Sequence, residues 1–370
     1  MNDTELKYSI ALTLAKGIGT QQHKQLVKRY GCAQEVLMRT EKELVSDGVP
    51  ARLAKSITDA ELLEKAEKEV EFIKAKGIKT FHYLESDYPY RLAECKDAPV
   101  LLYYKGTSKL NATKTIAFVG TRKMTDNGRK WIIQCMADLA KNHKDILVIS
   151  GLAYGVDICS HTQALDNGLE TVAVMATPLN TIYPREHRND AARICNHGGL
   201  LTEYSTTHPM DRGNFQARNR IIAGLCDTVV IVESSEKGGA LITADCAFSY
   251  SRDVLAVPGR FSDTYSAGCN KLIKESKAAL ITSADDIEEI MGWKNCQKKD
   301  SPSLFPEFTE DLTDEEKTII QILRVNDQMG LNDLSAETNI QVGKLMSLLF
   351  TMEFKQLIHK LPGDMYAVGP

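Results

Sequence analysis

Three arginines, two asparagines and one phenylalanine fall in the run MDRGNFQARNRIIAGLCDTVVIVE, Met210 to Glu233, around and ahead of the apolar segment Thr228 to Val232. An aromatic ring flanked by guanidinium groups can stack on a nucleobase while the cations take the neighbouring phosphates. That chemistry holds a single-stranded polynucleotide without reading its sequence, and each stacked base is worth about 1 to 3 kcal/mol. A bare Phe215 would read as a packing residue, but cations on both sides favour the stacking role. Arg212, Gly213, Asn214, Phe215, Arg218 and Asn219 are therefore candidate binding residues.

Three further loops are suited to an anion. Gly120-Thr121-Arg122-Lys123 puts two cations where a helix begins. Ser150-Gly151-Leu152-Ala153-Tyr154-Gly155 offers glycines that let backbone N–H groups come close to a phosphate. Ser234-Ser235-Glu236-Lys237-Gly238-Gly239 is a second glycine and hydroxyl turn. Arg122, Ser150, Gly151, Lys237 and Gly239 join the nucleic-acid-binding candidates. The loop after Val119 departs from G-x-G-x-x-G, no acid ends the second strand to hold a ribose, and no G-x-x-x-x-G-K-[ST] occurs, so neither a dinucleotide nor a P-loop nucleotide is expected. Ser150 lies on no G-x-S-x-G elbow, and H-x-x-x-H and H-E-x-x-H spacings are absent. Asp157 and His161, four apart, read as a pair bracing its own helix; Glu203 and Asp245 are possible bases without a partner in sequence. The expectation is a binding protein, not an enzyme, with no cofactor and no metal.

The elements that must position these loops alternate from Lys114 onward. Runs at Thr115 to Val119, Ile146 to Ile149, Thr171 to Met175, Leu200 to Thr202, Thr228 to Val232 and Val254 to Val257 are mostly near-continuous in Val, Ile and Leu, as strands buried on both faces must be. Helical stretches such as Gly128 to Asn142 and Asp157 to Asn167 lie between them. The fold class predicted is α/β, a Rossmann-like doubly wound, mostly parallel sheet, whose ligands bind beyond the carboxyl ends of the strands. Residues 1–75 read as an N-terminal helical module, of helix-hairpin-helix or SAM-like kind. There Lys16-Gly17-Ile18-Gly19 is either a phosphate-binding loop or, as one short G-x-G favours, a plain interhelical turn. Residues 76–290 form the Rossmann-like domain, 291–311 a polar, proline-containing linker, and 312–370 a winged-helix-like domain. The last opens on the capping pattern Thr313-x-x-Glu316, followed by shorter helices at about Leu331 to Glu337 and Gln341 to Phe354 and a hairpin across Ile358 to Tyr366. Only Lys344 is a cation on the second of these helices, which favours a protein-contact or regulatory role over groove reading.

Composition sets the outer bounds. With 370 residues, 43% hydrophobic, 25% charged and a net charge of −4, no chain-wide basic field recruits nucleic acid, so any anion site is local. No signal peptide and no apolar run of about 18 residues is seen, so the expectation is a cytoplasmic protein with no membrane contact. Nine cysteines without a C-x-x-C pair read as reduced, buried small hydrophobes.

Several longer motifs, in order along nearly the whole chain, carry a resemblance. They are Asp87-Tyr88-Pro89, Pro99 to Gly106, Ser150 to Asp157 with His161, Phe215-x-x-Arg218-Asn219-Arg220 to Leu225, Gly239 to Ala244, and Val257-Pro258-Gly259. The chain resembles the DprA/Smf family of DNA-processing proteins. That resemblance implies a cytoplasmic, sequence-independent single-stranded DNA-binding protein that protects incoming DNA and loads RecA recombinase during natural transformation. It implies single-strand-binding protein as a further partner on the same strand, and a homodimer formed through the Rossmann-like domain. It also implies that Arg122, Arg212, Gly213, Asn214, Phe215, Arg218 and Asn219 line the DNA pocket, the ring stacking on a base. Gln216, Gly238 and Ala176-Thr177-Pro178 depart from the family pattern at the rim. The rival reading is a nucleotide N-glycosidase with a lysine-decarboxylase-like fold, acting on nucleoside monophosphates; Gly238 to Asp245 departs from its G-G-x-G-T-x-x-E motif and ends in Asp.

Overall fold

The computed structural model describes residues 1–294, 313–326, 328–355, 357–361 and 365–368. The chain divides into two units, Met1–Lys294 and Asn295–Pro370. Most of the predicted linker, and residues 362–364 of the predicted hairpin, lie outside the described residues.

The first unit starts with six helices, Asp3–Leu14, Thr20–Tyr30, Ala33–Leu37, Glu41–Ser46, Ala51–Ile57 and Glu61–Lys76 (α1 to α6). The first begins at a capping box, with Asn2 accepting from the Glu5 N–H and Glu5 from the Asn2 N–H. Their apolar residues close on a core of Ile10, Leu12, Val36, Leu44 and Ala66, which also takes in Leu101 and Tyr103 of the neighbouring sheet. Gly17, at φ +90°, makes the turn between α1 and α2. Glu69 of α6 is buried and accepts from the Thr206 N–H at 2.9 Å and from the Thr206 hydroxyl, tying the helices to the sheet.

Burial raises the Glu69 pKa, and the Thr206 hydrogen bonds only partly offset this. A carboxyl whose folded pKa lies above its unfolded one contributes stability below the unfolded value and loses it as pH rises through the folded value. Glu69→Gln is therefore expected to be tolerated better at about pH 8 than at about pH 5, read as the difference in urea midpoint from the parent protein at each pH. An equal cost at both would contradict a strained buried carboxylate.

The sheet follows: β1 (Lys79–His82), α7 (Tyr90–Ala93), β2 (Leu101–Gly106), β3 (Lys114–Val119), α8 (Asp126–Asn142), β4 (Ile146–Ser150), α9 (Val156–Asp166), β5 (Glu170–Val174), α10 (Arg188–Asn196) and β6 (Gly198–Thr202). It continues through α11 (Arg212–Leu225), β7 (Thr228–Ile231), α12 (Ala240–Ser249), β8 (Asp253–Ala256), α13 (Ala267–Lys274), β9 (Ala279–Leu280) and α14 (Ala284–Ile290). All six strands expected from the sequence are present, with ends shifted by at most two residues. The order is β1-β2-β6-β5-β4-β3-β7-β8-β9, parallel from β6 to β9, while β2 runs antiparallel to both its neighbours. This is the Rossmann-like doubly wound sheet. From β3 the chain winds through β4, β5 and β6 on one side, then returns to place β7, β8 and β9 on the other. The two directions part between β3 and β7, and the crevice beyond their carboxyl ends is where such a sheet takes a ligand. Asp227, entering β7, locks these strands: it accepts from Arg91 Nε at 2.6 Å and Nη2 at 2.9 Å and from the Thr115 N–H at 2.8 Å.

The second unit holds α15 (Asp314–Asn326), β10 (Met329–Gly330), α16 (Leu331–Thr338), α17 (Val342–Phe354), β11 (Ile358–Leu361) and β12 (Met365–Val368), with strand order β10-β12-β11. Thr313 and Glu316 form the expected reciprocal cap on α15. The described cysteines are unpaired; five are buried, but Cys32 is exposed and Cys195 and Cys246 are half-buried, so burial does not extend to all of them. Among the described residues, no helix is long and apolar enough to cross a membrane.

Candidate nucleic-acid interface

Three loops at the carboxyl edge are stitched together by close backbone contacts. The Val156 N–H donates to the Thr121 carbonyl at 3.2 Å, and the Thr121 N–H to the Glu233 carbonyl at 2.8 Å. Gly155 has φ +77°, and a Cβ there would lie 2.3 Å from the Thr121 carbonyl oxygen, so only glycine allows this approach. The buried Glu233 carboxylate accepts from the Thr125 N–H at 2.8 Å and from its hydroxyl, fixing the start of α8. Arg122, in the middle of this knot, is left exposed.

The fourth segment is a helix, not the loop expected ahead of β7. Asp211 caps α11, accepting the Gly213 N–H at 2.6 Å. Because α11 returns the chain to the start of a parallel strand, its N-terminus must lie at the sheet's carboxyl edge. Helical spacing then puts Arg212, Phe215, Gln216, Asn219 and Ile222 on one face. That face and the loops after β3 and β7 enclose a cleft of about 720 Å³, whose wall also includes Gly239 and Ala240 at the N-terminus of α12. Helix N-termini favour anions.

Phe215 is half-buried. Its ring centroid lies 5.6 Å from the Arg122 guanidinium carbon and 5.3 Å from the Tyr183 ring, which meets it edge-on at 68°. Arg212 is exposed on the same wall. Among the described residues no carboxylate holds either Arg122 or Arg212, so both positive charges are available to a ligand. Tyr183, 41% exposed and lining the cleft, escaped the sequence reading. It lies between β5 and α10, far from the other motifs, and only its place in an aromatic, proline-flanked loop marked it.

Other sequence candidates occupy different places. Arg218 is 4% exposed and forms the cleft floor; its guanidinium donates to the Gly151 carbonyl at 2.5 Å and to the Val174 carbonyl. Burial pushes its pKa down while nearby Asp157 opposes that. Its group braces the β4 and β5 ends. Gly151 consequently has no open approach: a Cβ there would sit 2.5 Å from the Arg218 guanidinium. It faces a small recess behind Phe215. Ser150 is buried and donates its hydroxyl to the Phe118 carbonyl at 2.6 Å. Asn214 is buried and donates to the Pro209 carbonyl at 3.1 Å. Ser150, Gly213, Asn214 and Lys237 are thus off the cleft wall, Lys237 exposed on the loop after β7, whereas Arg122, Arg212, Phe215, Arg218, Asn219 and Gly239 come together on it.

The residues weighed for catalysis are occupied elsewhere. His161 does not pair with Asp157, as the spacing suggested; its Nδ1 lies 2.7 Å from the Thr171 hydroxyl, and burial pushes its pKa down to about 3. Burial raises the Asp157 pKa, offset by Arg218. Glu203 is ion-paired with Arg220, and Asp245 is exposed and away from the cleft wall. Among the described residues no His, Cys, Asp and Glu cluster could hold a metal ion.

Comparisons with known proteins fit this arrangement. The family model for DNA recombination-mediator protein A matches residues 79–292. Over 208 residues the chain is 39% identical to DNA processing protein DprA of Streptococcus pneumoniae, covering 56% of this chain and 72% of that protein. The crystal structure of DNA processing protein A from Streptococcus pneumoniae superposes with a TM-score of 0.64 at 34% identity, covering 76% of this chain and 97% of that one. DNA processing protein A from Helicobacter pylori, solved for its single-stranded DNA binding mode, gives a TM-score of 0.52 at 29% identity, covering 58% and 96%.

Proposed function

This chain belongs to the DNA recombination-mediator protein A family, and from that premise we propose that it binds single-stranded DNA, without reading sequence, in the cleft between Arg122 and α11. The observation that carries this is the Arg122 guanidinium over the Phe215 ring at the mouth of the crevice between β3 and β7. A base entering there stacks on the Phe215 ring, to which every base offers a π-surface, and the Arg122 guanidinium takes the phosphate beside it. Arg212 and the N-terminus of α12 take the adjoining phosphates. Arg218 holds the floor in shape.

We propose further that bound strand is protected and handed to RecA recombinase during natural transformation, with single-strand-binding protein as a competitor for the same strand, and that the protein acts in the cytoplasm as a homodimer joined through the Rossmann-like domain. The C-terminal unit, as a winged helix, is assigned to protein contact. Lys344 of α17 is ion-paired with Glu315, so it offers no unengaged cation to a DNA groove.

Phosphate contacts release counterions, so each one lost lowers the slope of log affinity against log salt by about 0.7 for a single strand. Arg122→Ala and Arg212→Ala are each expected to weaken binding of labelled oligo-dT and flatten that slope by about this amount, read by fluorescence anisotropy at several salt concentrations. Unchanged affinity in both would remove the cleft from consideration. The glycosidase reading needs a carboxylate free to act at the cleft. Among the described residues Asp157 is the acid on its wall, and it is buried beside Arg218. Release of base from a nucleoside monophosphate would revive that reading.

A further inference from the structure

A second aromatic and cation pair stands on the same sheet edge, one strand further out. The loop after β8, Val257 to Ser266, carries Phe261 with 98% of its surface exposed, beside exposed Arg260. The ring makes no contribution to a core, yet the loop that presents it is held firmly. Asn270 of α13 accepts from the Gly259 N–H at 3.2 Å and donates to the Gly259 carbonyl at 2.9 Å. The Asp263 N–H closes a turn onto the Arg260 carbonyl at 3.0 Å, so Phe261 rides on its tip. The pinned turn thus presents an apolar ring to solvent in a fixed place, where a planar group can stack on it.

The loop walls a second groove, of about 650 Å³, with Thr125, Trp131, Gly259, Arg260 and Tyr265 among its lining. This groove adjoins the first cleft through one residue. Ser234 lines the first cleft, its N–H donates to the Tyr265 carbonyl at 2.6 Å, and its carbonyl accepts from the Gly268 N–H at 2.8 Å. The loop that carries Arg260 and Phe261 is thus fastened to the wall of the first cleft, with Arg260 lining the second groove and Phe261 standing at the tip of the turn beside it.

We propose that Phe261 and Arg260 form a second nucleotide subsite, which stacks a base and binds a phosphate of the same single strand, several nucleotides from the one held at Phe215. The proposal rests on the single-strand reading of the first cleft. Asp263 on the same turn limits the subsite's positive charge, so stacking is its larger contribution and one phosphate contact its electrostatic share.

Two lengths of oligo-dT separate the sites: one of about 5 nucleotides, long enough for the first cleft only, and one of about 20. Phe261→Ala, at a position too exposed to affect folding, is expected to lower affinity for the longer oligonucleotide about 5-fold or more, to the extent of one lost stacking contact, with the shorter one bound as in the parent protein. Arg260→Ala is expected to flatten the salt slope for the longer one by about 0.7. Equal affinity of parent and Phe261→Ala for the longer oligonucleotide overturns the subsite, as does an equal loss at both lengths. A change in oligomeric state by size-exclusion chromatography in Phe261→Ala assigns the ring to a protein contact instead. Phe215→Ala, which should weaken both lengths, is the control: if the parent protein binds neither, the reading of the first cleft fails, and the subsite with it.

Discussion

Phe215→Ala is expected to weaken binding of oligo-dT by roughly 5- to 150-fold, the equivalent of one lost stacking contact of about 1 to 3 kcal/mol. The dependence on salt is expected to stay as it was, because the ring neutralises no phosphate. This split between affinity and slope separates the ring from its neighbours. Arg122→Ala moves both quantities; Phe215→Ala moves one. The structure also predicts which replacement should rescue. Tyr183 meets the ring edge-on and Arg122 lies over its face, so Phe215→Trp or Phe215→Tyr keeps a flat surface in the same place, whereas Phe215→Leu keeps apolar bulk without a π-face. Retention of affinity in Phe215→Leu would mean that the ring serves packing only.

Arg218→Met is expected to be the most destabilising change in the cleft, costing about 3 to 5 kcal/mol. It strands the Gly151 and Val174 carbonyls in the interior and leaves Asp157 buried without a nearby cation. The deficit should depend on pH. Burial already raises the Asp157 pKa, and Arg218 is the group that restrains the rise. Without it the folded-state pKa climbs further above the unfolded value. Stability is then kept below the unfolded carboxyl pKa and lost as pH rises through the folded one. Urea midpoints should show a gap from the parent protein that is wide at about pH 8 and narrows towards about pH 4.5. An intact midpoint combined with a salt slope flattened by about 0.7 would instead make Arg218 a direct phosphate ligand.

Much of the framework was legible because burial on both faces leaves a mark on composition. The runs at Ile146 and Thr228 could be recognised as central strands from their unbroken β-branched and aliphatic residues. The strands the sequence did not reveal lack that mark. Lys79–His82 is short and only partly buried, and Ala279–Leu280 is two exposed residues. Leu101–Gly106 was noticed only as a motif; it is a strand because Tyr103 and Tyr104 find Thr202 and Leu201 of β6 across the sheet, 98 or so residues later. No local pattern encodes that pairing.

For the site, the sequence by itself determined the cast: an aromatic residue among arginines, glycine loops at strand ends, and no set of residues spaced for a metal or a nucleophile. Only the tertiary structure decided who faces the cleft. Neighbours in sequence, Asn214 and Phe215, turn to opposite environments because a helix rotates each residue about 100° from the last. Arg212 and Arg218, identical in chemistry, separate into an exposed ligand group and a buried brace. Arg122, Tyr183 and Phe215, distant along the chain, meet because β3, β5 and β6 are parallel and all deliver the segments that follow them to one edge. Side-chain chemistry is local and can be read one residue at a time, whereas exposure and proximity depend on every crossover connection in the sheet.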